Sequence, residues 1–208
     1  MIELNQIIHA DCMDIMKDIP DKYFELAIVD PPYGININHS IGRRKGAKKS
    51  SYKPAVWDCE SPNLEYFEEL FRISKNQIIW GANHFISKIP YDSNCWLMWD
   101  KGFSEDVSFS QFEMAWTSFN TTSKKFDKNP LQKNKFHPTQ KPVALYKWLL
   151  KNYAKEGDKI LDTHSGSGTT AIACIDMGFE YLCIEKDKEY FEKSVERVNK
   201  ELIKIKLF

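Results

Sequence analysis

The stretch "KILDTHSGSGTTAIACIDMGFEYLCIEKD", residues 159–187, decides the fold. "KILDTH" reads as a strand, "SGSG" as a turn, residues 169–178 as a helix and "EYLCIE" as a second strand, so the two strands run parallel with a helical crossover. Gly166 and Gly168 allow a tight turn, and the helix behind them aims its first amides at whatever lies over that turn. Outward from this unit, the N-terminal part reads strand (about 6–9), helix (about 12–18) and strand (24–29). A helix follows at about 63–74, with Leu64, Phe67, Leu70 and Phe71 marking one face. Then come strands in "QIIWGAN" (77–83), "NCWLMWD" (94–100) and "EMAWTSF" (113–119), a helix at 143–154 and a closing helix at about 187–204. Alternating strands and helices imply an α/β fold with a doubly wound, mostly parallel sheet and helices on both faces.

At 208 residues the chain suits a single domain, 1–208, with modest insertions. Charges balance, 29 basic against 29 acidic, so a polyanion must be met by a local patch rather than by the whole surface. Five scattered cysteines without a CxxC pair, and five histidines without metal-ligand spacing, predict reduced thiols, no zinc and a cytoplasmic setting. "MIELNQIIHADCMDIM" carries acids and no long apolar run, which predicts neither a signal peptide nor a membrane span.

Two places carry candidate chemistry. Glu185 ends the strand after the glycine turn, 17 residues beyond Gly168, where a nucleotide-binding α/β unit puts the carboxylate that holds the ribose hydroxyls. Alone, the GxG pattern also suits an ordinary tight turn. The absence of a lysine after the glycines argues against a triphosphate. The second place is "AIVDPPYGI", residues 27–35, where the apolar strand "FELAIV" stops at Asp30, Pro31, Pro32 and Tyr33. The prolines end the strand because they cannot donate to a ladder, and the acid is left at a strand's C-terminal end, where open α/β sheets place ligands. Taken alone, Asp30 could equally be a helix cap and Tyr33 a half-buried core ring.

Together, Asp30-Pro31-Pro32-Tyr33, the segment "HPTQKP" (137–142) and the turn Gly166-Ser167-Gly168 resemble the amino-group DNA methyltransferases that use S-adenosylmethionine. The acid turn precedes the glycine turn, an order similar to the family's β group, whose chain is circularly rearranged within a Rossmann-like sheet. The resemblance implies adenine-N6 methylation of double-stranded DNA by base flipping, with cytosine-N4 as the first alternative. It assigns catalysis to Asp30, Pro31, Pro32 and Tyr33. Cofactor contact falls to Asp11, Lys141, Asp162, His164, Ser165, Gly166, Gly168, Thr169 and Glu185. Relatives often carry Asp-Pro-Phe before the glycines; this chain has Asp162-Thr163-His164, so His164 stands where the aromatic ring would. A homodimer and a restriction endonuclease partner are both compatible with the group. An RNA or protein-glutamine methyltransferase is a more distant rival, because such enzymes usually place the glycine motif first. A non-catalytic DNA-binding module sharing the fold is a further rival.

The chemistry fits these residues. An exocyclic amine on a base is a poor nucleophile because its lone pair is delocalised into the ring. Asp30 and the Pro31 carbonyl can each accept one N–H, favouring a tetrahedral nitrogen, and two prolines hold those acceptors in place. Asp11 reads as a turn residue or an adenine contact, and Lys141 as a solvated lysine or a cofactor ligand. Trp80, Trp96 and Trp99 read as core, and Asn83 as a weaker pocket candidate. Residues 36–58 and 101–136 are expected to be insertions that contact DNA. Arg43, Arg44, Lys48 and Lys49 are assigned to phosphates, with the lysines of 124–135 as the alternative.

Overall fold

Strict alternation of apolar side chains sends Ile160 to one side of the sheet and Leu161 to the other. Tyr181 and Cys183 likewise oppose Leu182 and Ile184. The computed structural model that shows this describes residues 2–36, 56–104, 110–132 and 134–206. Eight strands are β1 (Gln6–His9), β2 (Phe24–Val29), β3 (Ser74–Trp80), β4 (Trp96–Asp100), β5 (Phe112–Thr117), β6 (Lys124–Asp127), β7 (Lys159–Asp162) and β8 (Glu180–Glu185). They form one sheet in the order β1-β8-β7-β2-β3-β5-β4-β6. Every neighbouring pair is parallel except β3 with β5 and β4 with β5, so β5 alone runs backwards.

Helices cover both faces. Helices α1 (Cys12–Met16) and α2 (Leu64–Ile73) pack with Ala27, Val29, Leu161 and Ile184 on one side. Helices α3 (Val143–Tyr153), α4 (Thr169–Met177) and α5 (Lys188–Lys206) lie with Leu26, Ile28, Ile160 and Cys183 on the other. The doubly wound, mostly parallel sheet expected from the sequence is present. Its strand order reverses between β7 and β2, whose register pairs Leu26 with Ile160 and Ala27 with Leu161. Connections leave this pair in opposite directions and open a crevice at the strands' carboxyl ends.

Three local expectations change. The buried face of α2 is Tyr66, Phe67, Leu70 and Ile73, while Leu64 is exposed at the first turn and Phe71 only partly buried. Positions 66, 70 and 73 with 67 fall on one helical stripe, and Asn63 caps the helix by accepting from the Tyr66 amide at 3.0 Å. Strand β3 begins at Ser74 and ends at Trp80, where Gly81 turns the chain with φ 69°. Finally, the segment 101–136 carries, besides the strand β5 expected from "EMAWTSF", an edge strand β6 in its lysine-rich stretch. Lysines suit an edge strand, and Lys125 pairs there with Asp100 and Asp127 while Lys124 reaches Asn152. Trp80 and Trp99 are core as expected, and Trp96 is partly buried against the α1/α2 side.

Gly168 shows how closely the glycine turn is packed. Its φ is 71°, and a Cβ there would lie 3.2 Å from Ser194 Cβ and 3.4 Å from both Ile7 Cδ1 and Val198 Cγ2. Gly168→Ala should therefore cost about 1–2 kcal/mol from the left-handed backbone alone, plus the crowding against α5. Chemical denaturation measures this, and an unchanged midpoint would show that the turn relaxes freely.

Candidate active site

Asp30 leaves the end of β2 and Asp162 the end of β7, and because these strands are neighbours their following turns face one crevice. The acid turn is fixed from outside: Asp58 Oδ1 accepts from the Tyr33 amide at 2.7 Å and the Gly34 amide at 3.1 Å. The Tyr33 ring lies directly over Gly81, where a Cβ would come within 2.0 Å of the ring. No other residue leaves that space. His84 stacks on the same ring at a centroid distance of 5.0 Å.

Both carboxylate oxygens of Asp30 are engaged. Oδ1 accepts from the Tyr33 hydroxyl at 2.7 Å and Oδ2 from the Lys141 ammonium at 2.5 Å. Lys141 is 3% exposed and also meets Glu113 of β5 at 2.9 Å, while Glu113 in turn holds Lys101 at 2.7 Å. The rings of Trp80 and Tyr33 lie 5.4 and 5.9 Å from the Lys141 ammonium, a further cation–π stabilisation. Burial pushes the Asp30 carboxyl up; Lys141 pulls it down and the Glu113 charge pushes it up again, so it ends above its ordinary value. Burial would raise Glu113 as well, but Lys141 and Lys101 together hold it at about 2. Burial works against the Lys141 charge, yet Asp30 and Glu113 keep it above the usual lysine value.

From Asp30 a cavity of about 540 Å³ runs to Glu185. Of the residues expected there, Asp11, Asp30, Pro32, Lys141, His164, Ser165, Gly166, Thr169 and Glu185 line it. Glu185 accepts from the Gly166 amide at 2.7 Å and the Asp187 amide at 2.8 Å, which fixes the carboxylate across the glycine turn. Asp11 caps α1 by accepting from Met13 and pairs with Lys186 at 2.7 Å, so it is both a cap and a cavity residue. The His164 imidazole, pushed down to about 4 by burial, is neutral and meets the edge of Tyr66 at 5.3 Å.

Four expected residues stand elsewhere. Pro31 is buried beneath the turn, and Tyr33 packs on Gly81 and His84 outside the cavity lining. Gly168 faces α5, and Asp162 lies behind the cavity wall, accepting from the Thr170 hydroxyl and from the His164 amide at 3.0 Å. Lys141 lines the cavity, but its ammonium is directed at Asp30 and Glu113. Arg43, Arg44, Lys48 and Lys49 lie outside the described residues.

Sequence reasoning missed an aromatic wall. Trp57 stacks on His137 at 5.5 Å, Tyr190 meets the same imidazole edge-on at 4.2 Å, and Tyr66 donates to or accepts from Thr163 at 2.7 Å. Tyr66 was not among the residues that mark the helix face in the sequence, and Trp57 lies in a stretch without periodicity. Glu113 and Asp58 were missed for another reason: each acts across a gap of more than twenty residues.

A family model described as DNA methylase, N6_N4_Mtase, matches residues 55–196. The chain is 32% identical over 246 residues to the type II methyltransferase M2.MboI of Moraxella bovis, covering 92% of this chain and 86% of that protein. It is 23% identical over 247 residues to the type II methyltransferase M.HinfI of Haemophilus influenzae, covering 94% and 68%. Among solved structures it resembles the M1.HpyAVI–SAM complex, with TM-score 0.63, 24% identity and coverage of 92% and 98%. It also resembles the cytosine-N4-specific PvuII DNA methyltransferase, with TM-score 0.62, 11% identity and coverage of 94% and 90%. At these identities the structural likeness speaks for the fold. Among the described residues no helix is long and apolar enough to cross a membrane.

Asp162 makes stability depend on pH. Burial pushes its carboxyl up to about 7, against the hydrogen bonds from Thr170 and His164. The folded state therefore holds a proton that the unfolded chain has released, and stability falls as pH rises between about 4 and 7. Asp162→Asn removes that decline. The gap between variant and wild type should grow by about 1.4 kcal/mol per pH unit through the window, read from urea unfolding at several pH values. Parallel curves would place the proton elsewhere.

Proposed function

Because this chain belongs to the N6_N4_Mtase family of DNA methylases, we propose that it transfers a methyl group from S-adenosylmethionine to the N6 amine of adenine in double-stranded DNA. One observation carries the reading: a single cavity joins the catalytic-type acid Asp30 to the nucleotide-type carboxylate Glu185. The cofactor fits what is there. About 540 Å³ is within the usual range for a small-molecule site, and Gln140, which lines it, has a buried Oε1 with no hydrogen-bond partner among the described residues. Glu185, Gly166 and Asp11 would hold the nucleoside end. Ser165, Thr169 and the aromatic edge formed by Tyr66 and His164 would line the way to Asp30. S-adenosylmethionine, when bound, supplies the sulfonium methyl group that the amine nitrogen takes up as it releases a proton.

The chain's own residues prepare that nitrogen. Asp30 accepts one N–H and the Pro31 carbonyl the other, drawing the lone pair out of conjugation. A paired base cannot reach Asp30, so the nucleotide is extruded from the duplex, as methyltransferases in general require. Arg43, Arg44, Lys48 and Lys49, which directly follow the acid turn in sequence, are assigned to the phosphates beside it. The aspartate at the head of the turn resembles adenine enzymes, whereas a serine there is more usual for cytosine-N4 enzymes. Cytosine-N4 stays the alternative because the matching family model is one of N6 and N4 DNA methylases.

Nucleoside analysis of DNA from cells expressing the protein separates the two, with N6-methyladenine expected and N4-methylcytosine overturning the choice of base. Asp30→Ala should abolish methyl transfer while leaving S-adenosylmethionine affinity within a few-fold. Glu185→Ala should weaken cofactor binding by roughly 1.5–3 kcal/mol for each lost hydrogen bond to the charged group, read by calorimetry. Retained transfer in the first variant would remove Asp30 from the chemistry, and retained affinity in the second would move the nucleoside site.

A further inference from the structure

In the structure, each carboxylate oxygen of Asp30 already has one donor, Lys141 on Oδ2 and Tyr33 on Oδ1, so an incoming amine must share an oxygen with one of them or displace it. Lys141 already has a second carboxylate in reach, since Glu113 lies 2.9 Å from the same ammonium and is itself fixed by Lys101 at 2.7 Å. Asp30 and Glu113 come from different strands, β2 and β5, and the lysine comes from the segment before α3. Lys141 can therefore let go of Asp30 and still keep an ion pair with Glu113, which Lys101 holds in place.

We propose that Glu113, anchored by Lys101, is a positioning residue that takes over the Lys141 ammonium when the target amine reaches Asp30. This rests on the reaction proposed above. On arrival of the amine, Asp30 Oδ2 exchanges the lysine for an N–H of the base, and Lys141 keeps Glu113. Without Glu113 the lysine has Asp30 as its sole carboxylate partner in the group, and the base must compete with a full ion pair. The remaining titratable groups that face Asp30 are Tyr66 of α2, Tyr146 of α3 and Asp162 of β7, while Lys135 faces Glu113. Two of the first three are tyrosines, with pKa values raised well above 10, and do not titrate in the acid range. Asp162 is unchanged between wild type and the variants below.

The test is the pH profile of methyl transfer for wild type, Glu113→Gln, Glu113→Asp and Lys101→Met. Glu113→Gln removes a like charge from Asp30 and leaves Lys141 to it alone. The acid limb of kcat should then move to lower pH by roughly one unit or more, with the plateau reduced on the order of tenfold to a hundredfold and KM for DNA little changed. Lys101→Met releases Glu113 to draw Lys141 away from Asp30, so its limb should move the other way, to higher pH. Glu113→Asp keeps the charge and should restore most of the plateau with a limb near that of wild type. A merely structural role lowers activity at every pH and moves no limb. That result in Glu113→Gln, or in Lys101→Met if the first variant does not fold, overturns the inference while the proposed reaction stands. A wild type that methylates no DNA overturns both.

Discussion

Leu26 and Ala27 of β2 lie beside Ile160 and Leu161 of β7 in parallel register, although more than a hundred residues separate them in the chain. The acid turn and the glycine turn are only continuations of these two strands past their last paired residues. Once the register is set, the two turns must emerge at one edge, a few ångströms apart. A slip of one residue would exchange the faces of β2 and send Ala27 and Val29 away from the α1/α2 core. Register is therefore held by burial on both sides, and the site inherits its accuracy from the core.

The price of that arrangement is a set of charges deep in the protein. Asp30, Glu113 and Lys141 are each largely buried, and leaving any one of them without its partner would strand a charge, which in other proteins costs about 3–5 kcal/mol. The group is stable because lysines and carboxylates balance and because Trp80 and Tyr33 face the ammonium. The same balance separates the two acids: Glu113, held by two lysines, stays ionised, whereas Asp30, sharing one lysine with a second carboxylate, lies above its ordinary value. Divergent environments for neighbouring carboxylates are how one site gives them different roles.

The residues around the cavity divide according to whether their partners are near in sequence. Glu185 and Gly166 could be read as a pair because a βαβ unit has a nearly fixed length, and the structure joins them by a 2.7 Å hydrogen bond. Gly168 belongs to the same pattern, yet it packs against Ser194 and Val198 of α5, which no spacing rule places there. Lys141 was legible as a residue of the site and illegible in its direction, since Glu113 and Asp30 reach it from strands far apart in sequence. Tyr66 was not among the residues that mark the helix face in the sequence.

The sequence by itself determined most of the elements and their order, the lysine-rich edge strand β6 being the strand it did not mark. Alternating apolar residues specify strands, glycines and prolines end them, and acids just past two strand ends mark where ligands gather. These are local properties of a few adjacent residues, governed by backbone sterics and side-chain burial. Only the tertiary structure decided which groups face one another. The backward strand β5 carries Glu113 to Lys141, the chain after β3 sets Gly81 beneath Tyr33, and the stretch before α2 brings Asp58 to the acid turn. Such contacts depend on strand order and on the packing of elements remote in sequence, because hydrogen bonds and buried ion pairs act over a few ångströms and carry no trace in the spacing of the residues that make them.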